Sequence, residues 1–195
     1  MGAVATDVPI TPDQLHELFY VEEGVLHWKH RKDDSTGSRM FNSRYAGKPC
    51  GRPDGTGYLQ TGITINGYTH RVANHRIILA MRTGKWPAPR EIVDHADRDI
   101  ENNSDDNIRL ASRGQNRINS CVRTDNKSGF KGVSFHQKSG KWLAQSQSKD
   151  ATGRRLTLLY ELHHSPEEAA SAYDAHISER YGEFALTNKA LGLLI

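Results

Sequence analysis

Between residues 130 and 177 the hydrophobic period changes once, from two to about 3.6, and that change constrains most of what this stretch can become. Residues 130–136, 141–147 and 155–161 each read as a strand. Ser165-Pro166-Glu167-Glu168 then supplies an N-cap, a proline at the first helical position and a capping-box glutamate. Ala169, Ala172, Tyr173, His176 and Ile177 fall on one face of the helix that follows. Three short strands bury little by themselves, and an amphipathic helix laid across them closes a small core. The expectation is a three-stranded antiparallel sheet packed on one helix.

Upstream the elements are shorter. Thr11-Pro12-Asp13 opens a helix that runs to about Phe19, and residues 20–30 form a hairpin around Glu23-Gly24. Residues 32–57, rich in Gly, Ser, Asp and Arg, read as mostly loop. A strand over 58–65 turns at Asn66-Gly67 into a return strand over 68–72, because both turn residues tolerate positive φ. Residues 74–82 carry too many apolar side chains for a one-sided stripe, which predicts a short, largely buried helix ending at Gly84. Strand 92–95, loop 96–106 and strand 107–111 follow. Ser112 and Gln115 then form a capping box that starts a helix through about Asn119. The fold class is α+β.

Of the 195 residues, 36% are hydrophobic, and no apolar run reaches the roughly 20 residues a membrane helix needs. The N-terminal stretch has neither the cationic nor the apolar part of a secretory signal. Cys50 and Cys121 form no CxxC pair, which argues against a cysteine-based zinc site and a disulfide framework. These features predict a soluble, cytoplasmic protein with no membrane partner. The net charge of +3 is unevenly spread: residues 113–155 hold ten lysines and arginines against two acidic residues. Such a block either attracts a polyanion such as nucleic acid or forms a solvated basic face.

The segment from Asp94 to Asn116 concentrates Asp, His and Asn around one hairpin and one helix start. Asp94 and His95 end a strand, Asn107 opens the next, and Asn116 lies in the first turns of the helix. These residue types suit metal-assisted phosphodiester hydrolysis. An anionic oxygen from Asp94 and an amide oxygen from Asn116 can hold a hard divalent cation. A neutral His95 imidazole can take a proton from water, and Asn107 can hold the loop that orients it. On residue chemistry alone, a polar loop of turn formers is the better account of this set. Asp97, Asp99, Asn102, Asn103, Asp105 and Asp106 are read as such turn residues.

Residues 68–119 resemble an HNH endonuclease of the ββα-metal class, in its phage and homing-endonuclease branch. The resemblance rests on His75-Arg76, Trp86-Pro87, Val93-Asp94-His95, Asn102-Asn103, Asp106-Asn107-Ile108-Arg109-Leu110 and Gln115-Asn116 with Asn119. It implies that His95 is the general base, Asp94 and Asn116 are metal ligands, and Asn107 is the orienting asparagine. Asparagine at 116 favours an oxygen-rich site for Mg2+ or Mn2+. Arg76, Arg113 and Arg117 are the expected phosphate contacts of this part.

Residues 128–188 are similar to the Apetala/ethylene-response-factor DNA-binding domain. The carriers are Ser128-Gly129-Phe130-Lys131-Gly132-Val133, Gly140-Lys141-Trp142-Leu143-Ala144, Gly153-Arg154-Arg155, Glu167-Glu168-Ala169-Ala170 with Ala172-Tyr173-Asp174, and Gly182-Glu183 with Asn188. In that family the sheet enters the major groove of double-stranded DNA. The resemblance implies DNA contacts from Lys131, Ser134, His136, Lys141, Trp142, Gln145, Gln147, Arg154 and Arg155. Core or rim packing is the alternative for Trp142.

Val25-Leu26-His27-Trp28-Lys29 and the stretch from Ala46 to Tyr58 resemble the region that precedes the nuclease core in phage HNH proteins. His27, Trp28, His30, Arg31 and Lys32 either extend the DNA footprint or belong to an ordinary exposed hairpin. The expected organisation is an accessory β-rich region over 1–67, a nuclease core over 68–120, a linker over 121–127 and a DNA-binding domain over 128–190. The expected activity is metal-dependent hydrolysis of DNA phosphodiester bonds by a monomer. The alternative is a non-catalytic DNA-binding transcription regulator.

Overall fold

The computed structural model describes residues 9–150 and 152–194, which divide into two compact units at Ser112/Arg113. Both mix helices and antiparallel strands, so the protein is α+β.

In the first unit, helix α1 (Pro12–Leu18) is capped by the predicted box, in which the Thr11 side chain and Gln14 satisfy each other's backbone N–H groups. Strands β1 (Phe19–Glu22) and β2 (Val25–Trp28) pair around Glu23 and Gly24, both at positive φ. Residues 32–57 hold, besides loop, a helix that the sequence reading lacks: α2 (Thr36–Tyr45). Ser35 caps it by accepting from the Ser38 N–H at 3.0 Å. The helix buries no residue, so it leaves no apolar stripe in the sequence.

Strands β3 (Arg52–Pro53), β4 (Leu59–Ile65) and β5 (Tyr68–Ala73) form a sheet whose hairpin turns at Asn66-Gly67, as the sequence predicts. Helix α3 (Asn74–Thr83) ends at Gly84 in the left-handed conformation. Its residues Ile77 to Met81 are all buried, which explains the absence of a one-sided pattern. Strands β6 (Ile92–His95) and β7 (Ile108–Ala111) complete the unit. Leu15, Phe19, Leu26, Ile63, Val72, Ile77 and Ile108 are among the residues of its core. Buried Asn74 ties three segments together. Its Oδ1 accepts from Thr61 Oγ1 at 2.7 Å, and its Nδ2 donates to the Cys50 carbonyl at 3.0 Å.

The second unit opens with helix α4 (Arg113–Ile118). Strands β8 (Val133–His136), β9 (Lys141–Lys149) and β10 (Arg155–His163) form an antiparallel sheet with β9 in the centre. Helix α5 (Pro166–Tyr181) packs on it through Ala169, Ala170, Tyr173 and Ile177, against Val133, Ala144 and Leu159. Strand β8 starts three residues later than expected, because Gly129 and Gly132 both adopt positive φ. Asn126 Oδ1 accepts from the N–H groups of Ser128 and Gly129, each at 2.9 Å, and holds this turn. Fully buried Asn188 ties the turn to α5. Its Oδ1 accepts from the Lys131 N–H at 2.7 Å, and its Nδ2 donates to Asp174 Oδ1 at 2.8 Å.

Candidate active site

Strands β6 and β7 pair so that Asp94 faces Arg109 and His95 faces Ile108. The connection from Ala96 to Asn107 folds back on its own polar groups. The Ala96 N–H donates to the Asn107 carbonyl at 2.9 Å and closes the base of the loop. Asn107 Oδ1 accepts from the Asp97 N–H at 2.9 Å, and its Nδ2 donates to the Asn102 carbonyl at 2.6 Å. Asn107 therefore clamps both halves of the loop through backbone groups. Asp97 accepts from the Asp99 N–H at 2.8 Å and from Asn102 Nδ2 at 2.7 Å. Burial raises the Asp97 carboxyl, but these bonds, Asn107 and the nearby His95 outweigh it and hold the group below its usual range. Arg98 sits at φ 71, a left-handed position that glycine or asparagine fills more cheaply.

His95 is 4% exposed, and its Nε2 lies 3.0 Å from Asn103 Oδ1. Asn103 Nδ2 donates to the Glu101 carbonyl at 3.3 Å, which fixes the direction of the amide. An amide oxygen only accepts, so Nε2 carries a proton, and in the neutral tautomer the lone pair falls on Nδ1. The sequence reads Asn103 as a turn residue; the structure gives it the contact to the imidazole. The adjacent Asn102-Asn103 pair is the only signal, and composition alone does not separate it from ordinary turn chemistry.

Two further rings surround His95. His75, on α3, meets it edge-on with centroids 5.3 Å apart. Tyr58 lies 5.0 Å from His75 and 6.0 Å from His95. Burial pushes the His75 imidazole down to about 3, with the charges of His95 and Arg76 adding to the shift. Burial thus favours the neutral form of His75. Burial also raises the Tyr58 phenol, with the charges of Asp94 and Asp54 contributing. Arg76 follows His75 on α3, and burial lowers its guanidinium.

Asp94 is 4% exposed and accepts from Arg109 Nε at 3.1 Å through Oδ2. A buried carboxylate oxygen suits a hard cation. Among the described residues no group of three or more His, Cys, Asp or Glu gathers as a metal cluster. A site built on one aspartate, an asparagine and water needs no such cluster. Asn116, half-buried, stands on α4 in the second unit.

Gly24 connects the β1–β2 hairpin to this loop. At φ 76, a Cβ placed on it would sit 3.0 Å from the backbone of Asn103 and Ser104. Gly24→Ala should destabilise the unit by roughly 1–2 kcal/mol, the cost of a left-handed alanine, and disturb the loop that carries Asn103. Thermal unfolding of the variant checks this.

Residues 72–118 match the family model described as HNH endonuclease. The match spans less than half of the chain and supports a nuclease, a hydrolase, for this segment. It contains His75, Asp94, His95, Asn103, Asn107 and Asn116. No curated protein and no solved structure matches the chain. Among the described residues no helix is long and apolar enough to cross a membrane.

The strand register sorts the expected DNA contacts of the C-terminal sheet. Val133 pairs with Ala144 and Phe135 with Trp142, which puts these four on the face toward α5. Trp142 packs against that core and stacks edge-on with Phe135 at 5.2 Å, so it leaves the predicted exposed row. Lys131 departs from it too. It is buried, and its Nζ donates to the carbonyls of Leu186, at 3.0 Å, and Ile118. Strict alternation cannot place Lys141 and Trp142 on one face, and Lys131 precedes the first strand. Ser134, His136, Lys141, Gln145 and Gln147 do share the opposite face. Gln145 Nε2 donates to Ser134 Oγ at 3.1 Å. Arg154 and Arg155 are exposed at the β9–β10 hairpin. On α4, Arg113 is exposed, and the Arg117 guanidinium donates to the Gln147 carbonyl.

Proposed function

We propose that the protein is a DNA endonuclease of the HNH type, which hydrolyses a phosphodiester bond with the help of a divalent metal, Mg2+ or Mn2+. The observation that carries this reading is the buried His95 imidazole. Its Nε2–H is committed to Asn103, and it follows the buried Asp94 in strand β6 within the matched segment. Asp94 and Asn116 would hold the metal. When bound, such an ion supplies Lewis acidity to the phosphate and to the departing oxygen.

The chain's own residues do the rest. Asn103 keeps the His95 proton on Nε2, so Nδ1 is the nitrogen that takes a proton from the attacking water. Neutral His75, packed on His95, adds no positive charge to oppose the imidazolium that forms. Asn107 holds the loop that presents Asn103. Arg76, Arg113 and Arg117 are proposed phosphate contacts. The division into an accessory region (1–67), a nuclease core (68–120) and a DNA-binding domain (128–190) completes the reading.

The C-terminal sheet is proposed as the reader of duplex DNA. Gln145 and Gln147 stand two apart on its open face, and glutamine pairs well with adenine in the major groove. Lys141, Arg154 and Arg155 would neutralise phosphates. Each phosphate that a substitution leaves without its cation should lower the slope of log affinity against log salt by about 0.9. Gel shifts of Lys141→Ala and Arg155→Ala over a salt series measure this directly, and unchanged slopes would remove the sheet from the interface.

Asn103 separates positioning from chemistry. Asn103→Ala should lower the cleavage rate about ten-fold or more with little change in DNA affinity. Asn103→Asp keeps an acceptor for Nε2 and should retain more activity. Mapping the cut ends tests the reaction itself: hydrolysis of the type proposed leaves a 5′-phosphate and a 3′-hydroxyl, and any other pair of ends rejects it.

A further inference from the structure

We propose that the cleft between the β1–β2 hairpin, helix α2 and the β4–β5 sheet in the first unit binds an unstacked nucleobase of single-stranded DNA. The inference rests on the DNA-endonuclease reading above and adds a substrate-binding site away from His95. The cleft has a volume of about 500 Å3, and Trp28, Arg31, Phe41, Tyr45, Gly62 and Thr64 line it. Small-ligand clefts fall in the range of roughly 300–1,000 Å3.

Its wall is aromatic and fixed. Phe41 and Tyr45 lie four apart on α2, with ring centroids 5.3 Å apart. Trp28 meets Phe41 edge-on at 5.3 Å and 87°. The Arg31 guanidinium carbon sits 3.5 Å above the centre of the Phe41 ring. Asn42 locks the backbone under that arginine, accepting from the Arg31 N–H at 2.8 Å and donating to its carbonyl at 2.7 Å. The same Asn42 Nδ2 lies 2.6 Å from Asp33 Oδ1, and among the described residues no carboxylate pairs with Arg31.

Core packing accounts for Trp28, which lies against the core of the unit, but not for the rest of the arrangement. Helix α2 buries no residue, and Tyr45 and Met40 are 43% and 63% exposed. Gly62 contributes no side chain to the cleft, and Arg71 stands directly opposite it on β5. Between Lys29 and Lys48 six lysines and arginines stand against Asp33 and Asp34. Flat π surfaces, a guanidinium plane and an excess of cations are what single-stranded nucleic acid binds: bases stack on the planes and phosphates meet the cations. An apolar peptide would use neither the stacked guanidinium nor the charge.

The test uses the full chain in EDTA, so that nothing is cut. The probe is a single-stranded oligonucleotide carrying one 2-aminopurine, whose fluorescence falls when the base stacks, compared with the same sequence as a duplex. Quenching on the single strand is expected for the unmodified protein. Tyr45→Ala and Arg31→Lys alter exposed side chains. Each should weaken single-strand binding about ten-fold and reduce the quench, leaving duplex affinity within about two-fold. Arg31→Lys keeps the charge and removes the plane, so full binding and full quenching by that variant overturn the stacking site. Variants that match the unmodified protein on the single strand overturn it as well, and leave the endonuclease reading intact if duplex DNA is still bound and cut. A protein that binds no DNA in either form overturns both.

Discussion

His95→Ala is expected to lower cleavage of duplex DNA by at least about 100-fold, the usual contribution of a general base, while DNA affinity stays within about two-fold. The separation follows from where the groups stand. The imidazole is buried and held by Asn103, whereas the cations proposed to grip phosphates are carried elsewhere and are mostly exposed. Removing the ring also leaves Asn103 Oδ1 without its donor, so a melting curve must accompany the rate. A variant that melts normally, binds normally and cuts at the unmodified rate removes His95 from the chemistry.

Gly132→Ala is expected to unfold or severely loosen the second unit. A Cβ at Gly132 would lie 2.1 Å from Cδ2 and 2.2 Å from Cε2 of Tyr173, in a residue already at φ 76. Tyr173 is a buried residue of α5 in the centre of that core, so the ring has little room to move. Overpacking typically costs about 1–3 kcal/mol and a left-handed alanine roughly 1–2 more. Denaturant unfolding should show the loss, and affinity for duplex DNA should fall with it. Tyr173→Ala added to Gly132→Ala removes the clash, so the double variant should lose less than the sum of the two single changes.

The parts of the fold written in local chemistry were legible. The Asn66-Gly67 turn, the Thr11 and Ser165 caps and the Gly84 helix end each rest on a few adjacent residues, and each stands where the sequence places it. Helix α2 was not legible, because a helix that buries nothing shows no periodic stripe. Lys131 escapes a sequence reading for a different reason. A lysine before a strand reads as surface charge, and only the tertiary structure brings the Leu186 carbonyl to its ammonium group. Trp142 shows how register decides what composition leaves open, since its pairing with Phe135 turns it toward the helix.

The candidate site divides in the same way. Asp94, His95 and Asn107 carry spacing that a sequence displays. The contact from His95 to Asn103 depends on how the loop from Ala96 to Asn107 folds back, through Asn107 bonds to backbone groups at both ends. Tyr58, just before β4, and His75, on α3, reach His95 from segments well separated from it in the chain, and no local pattern announces that meeting.

Conversion of supercoiled plasmid by the purified full chain, with Mg2+ and with excess EDTA, tests the central claim most directly. Nicked circles are expected to accumulate with time in Mg2+, with none in EDTA. Nicking that proceeds equally in EDTA would contradict metal-assisted hydrolysis, and plasmid that stays supercoiled in both Mg2+ and Mn2+ while still being bound would contradict the assignment as an endonuclease.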